Sequence, residues 1–319
     1  MSVVSVRDLV VEYRTEQGAY PALHGVSLDV EAGEVMALIG ESGSGKSTLA
    51  MSIGWLLHRS AVLVSGAIFI DAAPVHALRG DDLLAMRAKS LAYVFQDPVG
   101  SLDPTKTIGR QVEWVLRDCG STISAEETLE PMRFADVRQV LSSYPHQISG
   151  GMAQRVAIAM ALARSPEILI ADEPTAALDA SIRTELLDLL TRECRRRRVA
   201  LLVATHDLDL VQRFADRAAV MYAGRVVESG DAVAVLSSPE HPYTRALLKA
   251  AIGREAPGER LSPIPGMPTT GEQPGCAFRE RCRFAVANCG DHYPPDMIVA
   301  GQTITCHRAG TLDDGSVTP

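Results

Sequence analysis

The chain has 319 residues, 46% hydrophobic and 22% charged, with a net charge of −8. That balance suits a soluble globular protein with one large domain and a smaller piece, and it argues against a surface built for nucleic acid or an anionic membrane. Apolar stretches such as Val156 to Ala163 fall far short of the roughly 20 residues a membrane span needs. The opening residues, Met1 to Asp8, show no basic start followed by an apolar run, so no signal peptide is predicted and the cytosol is the expected location.

In chain order, Val3 to Val11 and Ser27 to Val30 read as short strands, with turn-prone Gln17-Gly18 between them. Val35 to Ile39 is a continuous apolar run ending at a glycine, the pattern of a buried parallel strand. Lys46 to Leu57 has helical character, and Gln96 to Gln147, which carries Trp114, reads as an inserted helical unit. Met152 to Arg164 is an alanine-rich helix stopped by Pro166. Two more buried strands follow, Ile168 to Ala171 and Ala200 to Ala204, separated by a helix from Ser181 to about Arg197. This alternation predicts an α/β doubly wound fold. The basic run Arg192 to Arg198 suits the C-terminal end of that helix, where cations are favoured; a nucleic-acid patch is the other reading. Beyond Pro239 the composition shifts towards proline (257, 263, 265, 268, 274, 294 and 295) and cysteine, placing a domain boundary near residue 238.

Between the apolar strand and the helix lies Gly40-Glu41-Ser42-Gly43-Ser44-Gly45-Lys46-Ser47-Thr48, a P-loop in the strand–loop–helix context its chemistry requires. Glycines at 40, 43 and 45 let the backbone curl so that successive amides, with Ser42 among them, point inward at phosphate oxygens. The helix start adds the positive end of its dipole. Lys46 is expected on the β- and γ-phosphates, and the Ser47 hydroxyl, with Thr48 beside it, on Mg²⁺. The run Ile168 to Pro174 ends a strand in Asp172-Glu173. There Asp172 suits Mg²⁺ through its waters, and Glu173 is free to polarise an attacking water. Ser149-Gly150-Gly151 opens the alanine-rich helix and offers a hydroxyl and amides to an anion.

These residues, together with Gln96, Ile148 to Met152, Ala176 to Asp179 and His206, resemble the ATP-binding cassette superfamily over about the first 235 residues. Gln96 resembles the Q-loop glutamine, which contacts Mg²⁺ and signals to a membrane partner. Ile148 to Met152 resembles the signature motif, with Ile148 and Met152 in place of the usual Leu and Gln. Ala176-Ala177-Leu178-Asp179 resembles the D-loop, and His206, in Ala204-Thr205-His206-Asp207, the switch histidine that contacts the γ-phosphate. Tyr13 is the expected partner of the adenine ring, with Tyr20 as runner-up. The resemblance implies a P-loop NTPase fold over residues 1–238, with a RecA-like parallel-sheet core, an antiparallel β subdomain and a helical subdomain at about 97–155. It also implies that two cassettes pair head to tail, each signature closing over the ATP bound by the other.

Val94 to Pro104, Tyr144 to Arg155, His241 to Leu247, Pro263 to Pro268 and Gly275 to Cys282 are similar to the oligopeptide/dipeptide importer ATPases. This narrower resemblance implies a second, paralogous ATPase, two permease subunits and an extracytoplasmic solute-binding protein. It puts the chain at the cytoplasmic face of the inner membrane, held there through the permeases. Other members of the subfamily carry nickel, glutathione or oligosaccharides; a non-transport cassette protein is the rival from another class. Residues 239–319 then form a Cys/Pro-rich extension. Four of the six cysteines lie in it, Cys276, Cys282, Cys289 and Cys306, spaced by five, six and sixteen residues. Zinc ribbons use Cys-x2-Cys pairs, which are absent. Were Cys282 to Cys289 helical, the two Cα atoms would stand roughly 10 Å apart along the axis, a strained span for one zinc. The resemblance implies a [4Fe–4S] cluster there; zinc and buried free thiols are the alternatives.

Overall fold

The computed structural model describes residues 2–16, 18–176, 178–251, 263–267 and 273–312. Gln17, Ala177, Pro257 and Pro268 lie outside the described residues. The chain opens with two long strands, β1 (Ser2–Thr15) and β2 (Gly18–Glu31), paired antiparallel. They extend well beyond the short strands expected, since Val4 and Val6 and, past a shift in register, Leu9 and Val11 are buried. β3 (Val35–Ile39) is buried at every residue and feeds the P-loop, after which α1 (Lys46–Ile53) begins. This helix ends four residues earlier than expected, at Gly54, and Trp55 follows in a left-handed conformation. β4 (Ala61–Ile70) pairs with β1, and β5 (Ala73–Pro74) pairs with β4, completing a four-stranded antiparallel sheet in the order β2-β1-β4-β5.

After α2 (Gly80–Ser90) and β6 (Leu91–Val94), the inserted unit consists of three short helices, α3 (Ile108–Asp118), α4 (Ala125–Leu129) and α5 (Val137–Ser142). Each starts where the sequence supplies a cap: Thr107, Ser124 and Asp136 accept from the backbone three residues on, and Glu127 completes a capping box with Ser124. α6 (Gly150–Ala163) is capped by Ser149 and gives way to Ser165 in a left-handed conformation just before Pro166. Then come β7 (Ile168–Asp172), α7 (Ala180–Arg197), β8 (Ala200–Thr205), α8 (Leu208–Phe214), β9 (Arg217–Tyr222), β10 (Arg225–Asp231), α9 (Ala232–Ser237) and α10 (Pro242–Ala250). The basic run forms the last turn of α7, where Arg195 pairs with Asp216 at 2.6 Å and Arg196 with Glu193 at 2.7 Å. It is a helix end tied to its neighbours, as the helix-dipole reading expected.

The second sheet has eight strands in the order β11-β12-β10-β9-β3-β8-β7-β6, the last element pair being β11 (Asp296–Val299) and β12 (Gln302–Thr305), reached through the short α11 (Asn288–Asp291). β9, β3, β8, β7 and β6 run parallel. Strand periodicity divides the core. Met36, Leu38, Ile170 and Leu202 face one side, against α1 and the antiparallel sheet. Leu169, Ala171, Leu201 and Val203 face the other, against α3, α6 and α7. Covered on both faces, these strands read in sequence as unbroken apolar runs. β12 pairs with β10 at Glu228 and Ser229, so residues beyond 238 extend the main sheet. Phe278 and Tyr243 share a buried cluster with Ile39 and Val220.

Leu38, fully buried at the centre of the parallel sheet, tests this arrangement. Leu38→Ala should lower the unfolding free energy by about 2–5 kcal/mol in urea denaturation. A loss below about 1 kcal/mol would show that the site collapses or is solvated.

Candidate functional site

The P-loop crosses from the C-terminal end of β3 to the N-terminus of α1, where unpaired helix amides point outward. Gly40 cannot be replaced without moving the chain: at φ +153° an added Cβ would stand 2.3 Å from the Met221 carbonyl oxygen. Gly45, at φ +105°, caps α1 without a side chain, close against the backbone of Ala22 and Gly224. The loop is thus wedged between β2 and the β9–β10 turn.

Lys46 is almost fully buried and donates from Nζ to the carbonyls of Gly40 at 2.8 Å and Glu41 at 3.0 Å. Burial pushes its pKa down, while Glu173, Asp172 and Glu41 pull it back up. Asp172 stands opposite at the tip of β7; burial raises its pKa, with Ser47, Lys46 and Tyr93 acting the other way. One of its carboxylate oxygens is buried without a hydrogen-bond partner, as is the Tyr93 hydroxyl. A half-buried carboxylate beside a hydroxyl, with one buried oxygen unmatched, fits a hydrated Mg²⁺.

Glu173 follows with φ +49°, an uncommon conformation that its backbone N–H bond to the Ala204 carbonyl at 2.9 Å helps to fix. Its carboxylate meets His206 Nδ1 at 2.8–2.9 Å. The imidazole is 66% exposed and lines the same cavity as the loop.

All of these groups line one open cavity of about 750 Å³: the P-loop with Gly40, Ser42, Gly43, Gly45, Lys46, Ser47 and Thr48, then Gln96, Asp172, Glu173 and His206. Tyr13 and Tyr20 line it as a register pair across the β1–β2 hairpin, so both candidates for the base stand at its mouth. The Tyr13 hydroxyl lies 3.4 Å from Thr48 Oγ1. Four predicted residues are not brought to this cavity: Ser149, Gly150, Gly151 and Asp179. Gly151 faces Leu178 and Ile182 instead, so the start of α6 packs on the 176–179 loop and the start of α7 of its own chain. Ala177 of that loop lies outside the described residues. Sequence reasoning passed over Pro21, Ala22, Gly224 and Leu247, which complete the wall. No local motif marks them, since they belong to β2, the β9–β10 turn and α10.

The four tail cysteines converge on a separate small cavity of about 10 Å³, which His241, Phe278 and Phe284 also line. Burial pushes the Cys282 thiol up to about 12 and the Cys306 thiol up to about 11. The segment from Cys282 to Cys289 is not helical; only Asn288–Asp291 is. The helical spacing that would strain a zinc site therefore does not apply. Among the described residues, no group of three or more His, Cys, Asp or Glu side chains is placed to hold one metal ion.

A P-loop on an interior strand of a parallel sheet, facing a strand-end carboxylate pair and a histidine, defines a nucleoside-triphosphatase of the P-loop class. Comparison with known proteins sharpens this. The model of the ABC transporter family matches residues 23–176, that of the oligopeptide/dipeptide transporter C-terminal region matches 227–289, and an AAA-domain model overlaps at 142–212. The probable peptide ABC transporter ATP-binding protein y4tR of Sinorhizobium fredii is 40% identical over 97% of this chain and 96% of its own length. The dipeptide transport ATP-binding protein DppD of Bacillus subtilis is 39% identical over 95% and 94%. Its namesake in Escherichia coli is 37% identical over 98% of both chains. Among solved structures, the dimeric ATP-binding cassette MJ0796 bound to ADP and Pi aligns with a TM-score of 0.63 at 30% identity, covering 72% of this chain and 98% of that one. The chain belongs to the ABC transporter ATPases, with the oligopeptide/dipeptide type of C-terminal region.

The wedged loop yields a direct expectation. Gly40→Ala should push the loop off the Met221 carbonyl and abolish binding of a fluorescent ATP analogue, with a lowered melting temperature. Parental affinity in that variant would mean that the loop has room the structure does not give it.

Proposed function

We propose that this chain binds and hydrolyses ATP to drive uptake of di- and oligopeptides, acting in a bacterial importer with two permease subunits. One observation carries the reading: a single cavity unites the P-loop, the acidic strand end, Gln96 and the Glu173–His206 pair. The chain's relatives are named, over almost their whole length, for peptide or dipeptide transport. Import of nickel, glutathione or oligosaccharides by the same machinery is the alternative.

In this reading the P-loop amides and Lys46 bind the β- and γ-phosphates. The triphosphate restores to the buried ammonium the negative charge that desolvation makes it need. Tyr13 or Tyr20 stacks on adenine. Ser47, Gln96 and Asp172 would hold Mg²⁺, which neutralises phosphate charge when bound. Glu173 orients and polarises the attacking water, and His206, fixed by its bond to Glu173, presents its free nitrogen to the γ-phosphate. Ser149, Gly150, Gly151 and Asp179, outside this chain's cavity, serve the site of a second ATPase subunit, a paralogue in the simplest case. That geometry predicts weak hydrolysis by the isolated chain.

The cassette spans residues 1–238 in this reading, with about 97–155 facing the membrane partner; 239–319 form the tail, from which Leu247 also reaches the nucleotide cavity. Trp114, Phe95 and Val99 are exposed apolar side chains on or near the helical unit and offer a permease its contact. Among the described residues no helix is long and apolar enough to cross a membrane; in this reading the permeases hold the chain at the cytoplasmic face. A solute-binding protein acts on their far side, and nucleic acid has no part.

Reconstitution with the permeases and binding protein tests the assignment. Glu173→Gln and His206→Ala should each cut ATP turnover by about 10²-fold or more and stop dipeptide uptake. Near-normal turnover in either would remove that residue from the mechanism, and uptake of nickel in place of peptide would favour the alternative.

Cys276, Cys282, Cys289 and Cys306 are proposed to hold a [4Fe–4S] cluster; their convergence on one buried cavity supports it. Four thiolates suit such a cluster, which would cross-link the tail when bound. Anaerobically purified protein should then be brown, with about four irons per chain. Zinc at one equivalent, or a colourless metal-free protein, would overturn the cluster.

A further inference from the structure

Glu41, the second residue of the P-loop, is electrostatically out of place. A carboxylate beside a loop that receives a polyanion repels it. The structure supplies a partner from the far end of the chain. Arg281 donates from Nη1 at 2.7 Å and from Nη2 at 3.1 Å to the two carboxylate oxygens of Glu41, the forked geometry in which guanidinium binds carboxylate best. The Arg281 side chain is only 4% exposed, so this pair is little screened by solvent.

The guanidinium is itself held in place. Its Nε donates to the Pro265 carbonyl at 2.8 Å, and Nη1 lies 3.4 Å from the Tyr222 hydroxyl. Tyr222, Tyr243 and Phe278 pack ring against ring beneath it. The Tyr243 hydroxyl accepts the Glu41 backbone N–H at 2.9 Å. The Glu41 carbonyl, in turn, accepts from Lys46 Nζ. Amide, carbonyl and side chain of this one residue are therefore all engaged, two of them by residues more than 200 positions downstream.

We propose that Arg281 is a positioning residue of the nucleotide site: it cancels the charge of Glu41 and pins the outer arm of the P-loop, so that the C-terminal segment sets the affinity for ATP. This rests on the reading of the P-loop cavity as the ATP site and deepens it. A staple that merely tied down the tail would have no dependence on the charge of Glu41. The two roles therefore separate in a double-mutant cycle.

The full-length chain is titrated with a fluorescent ATP analogue and Mg²⁺, with thermal melts run in parallel. R281M should weaken binding by about tenfold or more, because it leaves an uncompensated carboxylate at the loop. E41Q should bind more tightly than the parent, since the positive charge of Arg281 is then no longer cancelled. The double variant should recover at least about fivefold of the R281M loss, removing the repulsion together with its remedy. In the assembled transporter, R281M should raise KM for ATP far more than it lowers kcat. Parental affinity in R281M, weaker or equal binding in E41Q, or a double variant as weak as R281M would each overturn the proposal. Should R281M fail to fold, E41Q and R281K decide it, R281K being expected to lose affinity because a lysine cannot hold both oxygens. A parent chain that binds no ATP would overturn the site reading as well, and the first titration reveals that before any variant is made.

Discussion

Everything in this protein is arranged around one backbone requirement: the phosphate-facing amides of the loop from Gly40 to Thr48 must turn inward together. A loop cannot hold that curl alone, because like-directed N–H dipoles repel until an anion arrives. The fold supplies the restraint from outside. β3 delivers the loop from the middle of a sheet covered on both faces, α1 fixes its exit, and the Met221 carbonyl at the end of β9 stands so close to Gly40 that no Cβ fits. Tyr243 and Arg281 hold the remaining free arm at Glu41.

The same arrangement sets the charge balance. Lys46, Asp172 and Glu173 are drawn into a partly buried cleft where each is displaced from its ordinary protonation behaviour or conformation. Burial works against the ammonium of Lys46 and against the carboxylate of Asp172 alike, and their opposite signs offset only part of it. A magnesium-bound nucleotide brings the complementary charges, so the cleft is complementary to its ligand and costly without it. The exposed Glu173–His206 pair lies at the rim, where a water and a γ-phosphate could meet.

The C-terminal segment is joined to this site more closely than its composition suggests. Its strands β11 and β12 extend the main sheet, its Phe278 completes the aromatic cluster under the P-loop, and Arg281 adjoins Cys282 in sequence.

By itself the sequence determined the chemistry that local pattern can encode. Glycine spacing, the apolar runs of β3, β7 and β8, and the Asp172-Glu173 and Thr205-His206 strand ends were legible because buried parallel strands and phosphate loops tolerate few residue types. The length of the β1–β2 hairpin was less legible, since its half-buried alternation is broken by polar residues. The end of α1 at Gly54 and the non-helical path from Cys282 to Cys289 were likewise set by packing, not propensity. Only the tertiary structure decided which residues share the cleft. It brought Tyr13 and Tyr20 to one mouth, kept Ser149 to Gly151 and Asp179 out, and joined Glu41 to Arg281 across 240 positions. The reason is physical: periodicity and spacing report contacts within a strand, turn or helix, whereas a salt bridge between distant segments leaves no periodic trace in either.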